Sequence, residues 1–101
     1  MTAVMMVHTS AALTRESYDR VVERLTGGKS RLQTTSDWPV PGLLAHQAGD
    51  GPDGFVVVDV WESEEAFARF GELVAPMMHE VGIVDPPVAF PAHGFVIKEM
   101  T

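Results

Sequence analysis

Short apolar runs and amphipathic stretches alternate along this chain of 101 residues, and their periods predict strands and helices in turn. Residues 3–9 form an apolar run that predicts a first strand, and residues 43–48 predict a second. The β-branched run 55–61 is the clearest strand of the chain, and the glycine-rich segment 49–54 before it predicts a hairpin turn. The run 88–98, which follows two prolines, predicts the last strand.

The first helix is predicted between strands one and two. Thr14 is a good N-cap for it. Tyr18, Val21 and Leu25 then recur at helical spacing on one face. The glycine pair 27–28 predicts the end of the helix.

The second helix is predicted to begin after Ser63, which is a good N-cap. Phe67, Phe70 and Val74 share its apolar face. Pro76 lies inside this stretch and predicts a kink or an interruption, because proline has no N–H to donate.

The resulting order, β-α-β-β-α-β over residues 1–101, predicts one α+β domain of the ferredoxin-like type. Right-handed crossovers place both helices on one face of a four-stranded antiparallel sheet. Strand three, however, is apolar on both faces: Phe55 and Val57 point one way, and Val56 and Val58 point the other. The uncovered face predicts a homodimer, with a second copy of the chain as the simplest cover.

Composition excludes several classes of function. Fourteen acidic and seven basic side chains give a net charge of −7, which argues against nucleic acid and anionic membranes as partners. The chain has no cysteine, which excludes disulfides and thiolate chemistry. We find neither a signal peptide nor a membrane span in the sequence and expect a cytoplasmic protein.

Residues 54–67, GFVVVDVWESEEAF, resemble the third strand and the start of the second helix of antibiotic-biosynthesis-monooxygenase-like proteins. Residues 41–46 and 91–93 are similar to segments of uncharacterised actinobacterial members. The resemblance implies a dimeric α+β barrel with a ligand between the helices and the sheet of each subunit. The superfamily includes cofactor-free oxygenases, polyketide cyclases, lactone isomerases and haem-degrading enzymes.

The haem-degrading group has a tryptophan on strand three and a haem-ligating histidine ten residues later. Trp61 fits the first position, but Gly71 stands at the second. This departure disfavours haem, and we expect no cofactor.

His46 and Asp59 are the candidate catalytic residues. Asp59 interrupts an apolar strand, and a buried carboxylate requires a partner. Pairing Ala48 with Phe55 places His46 opposite Val57, diagonal to Asp59 and on its face. Such a pair suits proton abstraction. Asp59 as a structural carboxylate and His46 as a structurally satisfied histidine are the alternatives.

Five further residues are candidates for substrate binding. The resemblance implies that Trp61 contacts an aromatic substrate. The others lie on an apolar helix face, on strand four, or in the polar loop 29–41, which is long enough to act as a pocket lid. They are Tyr18, Phe67, His93 and Trp38. Packing in the core is the alternative for Trp61 and Tyr18, and a hydrogen-bonded place in the dimer interface is the alternative for His93.

The other two histidines are weaker candidates. His8 ends strand one and is able to line the same cavity, whereas His79 falls away from the apolar helix face and is expected to be exposed. No histidine and carboxylate pair has the spacing of metal ligands on one helix face, so we expect no metal site.

These features predict a small cofactor-independent enzyme, a monooxygenase, cyclase or isomerase, that acts on an aromatic or polyketide-like molecule. The alternative is a non-catalytic dimeric module that binds a small hydrophobic ligand.

Overall fold

The computed structural model describes residues 2–28 and 37–96. Its elements, in chain order, are β1 Val4–His8, α1 Arg15–Thr26, β2 Leu43–Gly51, β3 Gly54–Trp61, α2 Glu64–Glu80 and β4 Val88–Pro91. The four strands form one antiparallel sheet in the order β2-β3-β1-β4. The predicted ferredoxin-like α+β fold is confirmed.

Both helices begin at the predicted caps. The Thr14 side chain accepts a hydrogen bond from the Ser17 N–H, and the Ser17 side chain accepts one from the Thr14 N–H. Gly27 ends α1 with a φ of 73°, a conformation that glycine adopts without strain. Ser63 accepts from the Ala66 N–H at the start of α2. Local sequence chemistry therefore fixes where the two helices begin and where α1 ends.

Pro76 does not interrupt α2, which runs unbroken from Glu64 to Glu80. The predicted interruption is therefore wrong. The proline is exposed, and so is Glu72, whose carbonyl lacks an N–H partner four residues later. Water on the exposed side of the helix can satisfy that carbonyl, which lowers the cost of the proline.

The hairpin between β2 and β3 is tighter than predicted. Gly51 pairs with Gly54, which leaves a turn of two residues and places His46 directly opposite Asp59. The predicted pairing was two residues out of register, because the strands continue into the glycine-rich segment. A slip of two residues keeps every side chain on its face, so the predicted face of His46 is unchanged.

β4 is shorter than the predicted strand over residues 88–98. It ends at Pro91, which pairs with Val4, the first residue of β1. The ladder stops there because β1 supplies no further partner, apart from one bond between the Ala92 N–H and the Ala3 carbonyl. Residues 92–96 are not strand, and the rest of the prediction lies outside the described residues.

The core lies between the helices and one face of the sheet. On that face, Met6 of β1 and Val57 and Trp61 of β3 are buried, and they pack in two clusters with side chains of both helices. Alternation turns the next residues of each strand outward. No helix of the described segments is long and apolar enough to span a membrane.

The outer face of the sheet is apolar as well. Val88 and Phe90 of β4 pair with Val7 and Met5 of β1 and are 64% and 41% exposed. Nothing in the described part of the chain covers these side chains. The predicted homodimer remains a prediction that would bury this face.

Candidate active site

A chain of hydrogen bonds links α1, β2 and β3 inside the helix-side core. The Tyr18 Oη lies 2.5 Å from His46 Nε2, and His46 Nδ1 lies 2.5 Å from Asp59 Oδ1. Asp59 is 1% exposed, so the chain ends on a carboxylate removed from water. The two residues predicted to be catalytic are therefore in direct contact, and Tyr18 extends the chain.

Three different elements position these groups. Asp59 faces the helices because strand alternation puts it on the side of Val57 and Trp61. The hairpin register brings His46 opposite Asp59. Tyr18 lies in the first turn of α1, and its ring stacks on the His46 imidazole at 5.8 Å with 12° between the planes. The packing of α1 on the sheet thus delivers the phenol to the imidazole.

Trp61 donates a hydrogen bond to Asp59, the last residue of the Tyr18–His46–Asp59 hydrogen-bond chain. Its indole Nε1–H donates to Asp59 Oδ2 at 3.3 Å, so both carboxylate oxygens have a partner. The indole is fully buried and stacks on Phe70 at 4.9 Å. Trp61 does not line the 60 Å³ cavity that lies beside Tyr18, His46 and Asp59. Its position suits orientation of Asp59 rather than contact with a ligand.

Burial, together with the charges of Asp59 and Asp19, raises the pKa of Tyr18 to about 12, so the phenol keeps its proton. The direction of the hydrogen bonds depends on the His46 tautomer. Because an ionised Asp59 can only accept, Nδ1–H of a neutral imidazole donates to it, and Nε2 then accepts from the Tyr18 hydroxyl.

A cavity of about 60 Å³ lies beside the Tyr18–His46–Asp59 hydrogen-bond chain. Tyr18, His46 and Asp59 contribute to its wall, which is otherwise mostly apolar. The other lining residues are Met6, His8, Leu13, Val21, Val22, Leu25, Trp38, Val57, Phe70, Val74, Met78 and Ile83. This volume holds a few water molecules, but small-molecule sites usually offer about 300 Å³ or more.

A second cavity of about 220 Å³ lies on the other side of part of this wall. The two share Met6, His8, Phe70, Val74, Met78 and Ile83. The segment after α2, residues 83–87, also lines the second cavity. Met78 is among the shared residues and has a flexible side chain, so its rotation would change the size of the first cavity.

The remaining candidate residues are dispersed. Trp38 is 7% exposed and lies in the cavity wall, with its ring 5.1 Å from the His46 ring. Phe67 lines the second cavity and packs 6.4 Å from Trp61. His79 is exposed, as predicted. His93 is exposed and lies beyond the end of β4, away from the Tyr18–His46–Asp59 chain, because the strand predicted to carry it stops at Pro91.

Sequence reasoning missed two residues of the cavity wall. Leu13 and Ile83 are buried and come from the loops before α1 and after α2. His8, a weaker candidate in the sequence, lines both cavities and has a 2.8 Å contact between its Nε2 and the Asp85 carbonyl. An apolar residue directly after Gly82 was the available signal for Ile83. Residues 2–28 and 37–96 hold no cluster of three or more potential metal ligands.

Two solved structures are similar to this chain over nearly its whole length. One is a monooxygenase from the gene ActVA-Orf6 of Streptomyces coelicolor in complex with nanaomycin D, with 26% identity and a TM-score of 0.51 over 97% of this chain and 93% of that one. The other is a mutant of SnoaB, a cofactor-independent oxygenase from Streptomyces nogalater, with 15% identity and a TM-score of 0.53 over 99% and 97%.

No protein-family model and no curated protein matches the sequence. The structural likeness agrees with the resemblance of residues 54–67 to antibiotic-biosynthesis-monooxygenase-like proteins. The chain therefore has the α+β fold of the antibiotic-biosynthesis-monooxygenase-like proteins.

Proposed function

We propose that this protein is a cofactor-independent monooxygenase that removes a proton from a phenolic or enolisable aromatic substrate of the polyketide type. The observation that carries the proposal is the Tyr18–His46–Asp59 hydrogen-bond chain at the wall of an apolar cavity. A proton acceptor backed by a buried carboxylate, beside a mostly apolar cavity, is an arrangement that suits general-base catalysis.

The proton step uses all three residues. The substrate gives its proton to Tyr18 Oη while the Tyr18 proton passes to His46 Nε2. His46 becomes an imidazolium whose charge is balanced by Asp59, and Trp61 keeps the carboxylate in place. The relay is concerted, because the raised pKa of Tyr18 disfavours a free phenolate. The substrate is left as an enolate or phenolate.

Molecular oxygen is the co-reactant of the next step. The carbanion centre adds to O₂ and forms a carbon–oxygen bond, and the peroxide then loses water to give a carbonyl. For a ring methylene the balance is CH₂ + O₂ → C=O + H₂O. Carbon loses four electrons and oxygen gains four. The apolar wall suits O₂, which has no need of polar contacts.

The comparison with the Streptomyces coelicolor monooxygenase supports this class of reaction, because that protein is 26% identical over nearly the whole chain and was solved with a bound ligand. The cavity requires enlargement for a fused-ring substrate. Movement of Met78 would open the 60 Å³ cavity into the neighbouring 220 Å³ space. The combined space approaches the size of known small-molecule sites.

The assembled form that we propose is a homodimer that buries the outer face of the sheet. Phe90 and Val88 give that face large exposed apolar side chains. A chain of this size gains substantially from covering them.

A cyclase or an isomerase would use the same proton step without oxygen, and a binding module would use neither. Incorporation of ¹⁸O distinguishes an oxygenase from these alternatives.

The protein is incubated with 1,8-dihydroxyanthrone under ¹⁸O₂, and the anthraquinone product is analysed by mass spectrometry against a buffer blank. We expect one ¹⁸O per product above the blank, and a loss on the order of 100-fold or more in His46→Gln.

Glu72→Gln is the matched control, because Glu72 is exposed on α2 and lines neither cavity. This variant should retain the wild-type rate. Incorporation no faster than the blank would overturn the oxygenase proposal, and equal rates in His46→Gln and the wild type would remove His46 from the reaction.

A further inference from the structure

The Trp38 indole is the polar group of the cavity that the proton relay leaves unused. Its Nε1–H is buried and has no hydrogen-bond acceptor within the described ranges 2–28 and 37–96. A buried donor without a partner is destabilising, because it loses its hydrogen bonds to water and gains none in return. The molecule therefore carries a donor that a bound acceptor would satisfy.

Trp38 lies beside the Tyr18–His46–Asp59 chain. It is part of the cavity wall, and its ring is 5.1 Å from the His46 ring and 5.1 Å from the Phe70 ring. Two ring contacts hold the indole, which is 7% exposed. A ligand in contact with His46 would thus lie beside a fixed indole.

The side-chain nitrogen and oxygen atoms of the relay are already hydrogen-bonded to one another. His46 Nε2 contacts Tyr18, His46 Nδ1 contacts Asp59, and the second Asp59 oxygen accepts from Trp61. His8, also in the wall, is bonded to the Asp85 carbonyl. The acceptor for Trp38 is therefore expected to come with the ligand.

The charge of the cavity restricts what that acceptor is. The described lining residues include no lysine or arginine, and Asp59 lies in the same wall. A carboxylate or phosphate would lose its hydration and meet a carboxylate without a compensating cation. A neutral carbonyl oxygen meets no such cost, and an indole N–H can stabilise the partial charge that it gains when a neighbouring proton leaves.

We propose that the Trp38 indole N–H binds the carbonyl oxygen of the substrate and selects aromatic ketones among the flat apolar molecules that fit the cavity. The inference rests on the proposed site but not on turnover. It assigns the substrate two features: an acidic O–H or C–H that faces Tyr18, and a conjugated carbonyl that faces Trp38. Deprotonation then places the enolate charge beside the indole.

The test compares 1-tetralone with tetralin, which have nearly the same shape but differ in one carbonyl. The chain has two tryptophans, so ¹⁵N-labelled protein gives two indole N–H signals. Trp38→Phe assigns them. If that variant folds poorly, through-space contacts to His46 for Trp38 and to Phe67 for Trp61 assign them independently. Trp61 is the internal control because its N–H already donates to Asp59.

We expect 1-tetralone to shift the Trp38 indole proton downfield and tetralin to shift it much less, while the Trp61 signal moves little with either. 1-Tetralone should bind about 3- to 10-fold more tightly than tetralin, and Trp38→Phe should abolish that preference. Equal effects of the two ligands, no effect of either, or a preference that survives in Trp38→Phe would overturn the inference. Because no reaction is measured, none of these outcomes bears on whether the protein is an oxygenase.

Discussion

His46 of β2 and Asp59 of β3 lie directly opposite each other, with Nδ1 of the imidazole 2.5 Å from Oδ1 of the carboxylate. The pairing follows from a turn of only two residues between the strands. Because the pair faces the helices, Tyr18 can reach the free side of the imidazole. The hairpin register is thus the structural cause of the Tyr18–His46–Asp59 hydrogen-bond chain.

Tyr18 should titrate about two pH units above an ordinary tyrosine. It is the one tyrosine of the chain, so the phenolate absorbance near 295 nm reports on it alone. Burial and the charge of Asp59 should hold the midpoint near 12, against about 10 in denaturant. Asp59→Asn should lower the midpoint because it removes a neighbouring negative charge. A midpoint near 10 in protein that circular dichroism shows to be folded would contradict the structure.

The same pKa shift links stability to pH. Folding raises the pKa of Tyr18, so the folded chain holds the proton more tightly than the unfolded chain. The stabilisation is complete below about pH 10 and is lost as the pH rises towards 12. The free energy of unfolding of the wild type should therefore fall more steeply over this window than that of Tyr18→Phe. Urea denaturation at several pH values measures both slopes, and parallel curves would count against the shift.

Asp59→Asn should reduce turnover by roughly 10²- to 10⁴-fold, because an amide neither balances the imidazolium nor fixes its tautomer. The loss should fall on kcat more than on KM, since Asp59 acts through His46. Asp53→Asn is the matched control, because Asp53 is exposed at the turn of the same hairpin. An Asp59→Asn variant with normal kcat and native circular dichroism would show that the carboxylate is only structural.

Met78→Ala should join the two cavities. The side chain lies in the wall that they share, and its loss should improve the binding of the tricyclic 9-fluorenone relative to that of 1-tetralone. We expect a loss of about 1–3 kcal/mol in stability, because the residue is only partly buried. Met77→Ala is the control, since Met77 lines neither cavity. If both variants change the two affinities equally, Met78 does not separate the cavities.

Phe90→Asp should weaken the proposed dimer. A carboxylate on the outer face of the sheet would have to be buried against a second copy, which is unfavourable without a partner charge. Sedimentation velocity should show a dimer for the wild type and a monomer for the variant. Leu73→Asp, on the exposed side of α2, should remain dimeric. A monomeric wild type would refute the dimer, although the relay of one chain would stand.

The sequence alone was sufficient for the elements, their order and the helix caps, because these depend on local patterns such as Thr14, Ser63 and the β3 run. It also placed His46 and Asp59 on one face, since face depends only on even spacing. The direct pairing of the two required the length of the turn, which glycine-rich segments leave open. The end of β4 depended on where β1 begins, which is a tertiary property.

The contact between Tyr18 and His46 was beyond prediction for a similar reason. Helical periodicity indicated that the Tyr18 ring faces the sheet, but the rotation and tilt of α1 decide which strand residue its hydroxyl meets. Trp61 shows the opposite case. The resemblance implied a ligand contact for Trp61, whereas in the structure its ring packs against Phe70 and its N–H donates to Asp59.

Hydrogen exchange into the substrate tests the proton relay most directly, because it isolates the proton step from oxygen chemistry. 1,8-Dihydroxyanthrone is incubated without oxygen in D₂O, and the rate of deuterium uptake at its methylene carbon is followed by NMR against a buffer blank. The relay predicts that the wild type and Glu72→Gln accelerate uptake to the same extent. In Tyr18→Phe and His46→Gln the acceleration should be at least about tenfold smaller. Uptake that the wild type does not accelerate, or that His46→Gln accelerates equally, would contradict the relay.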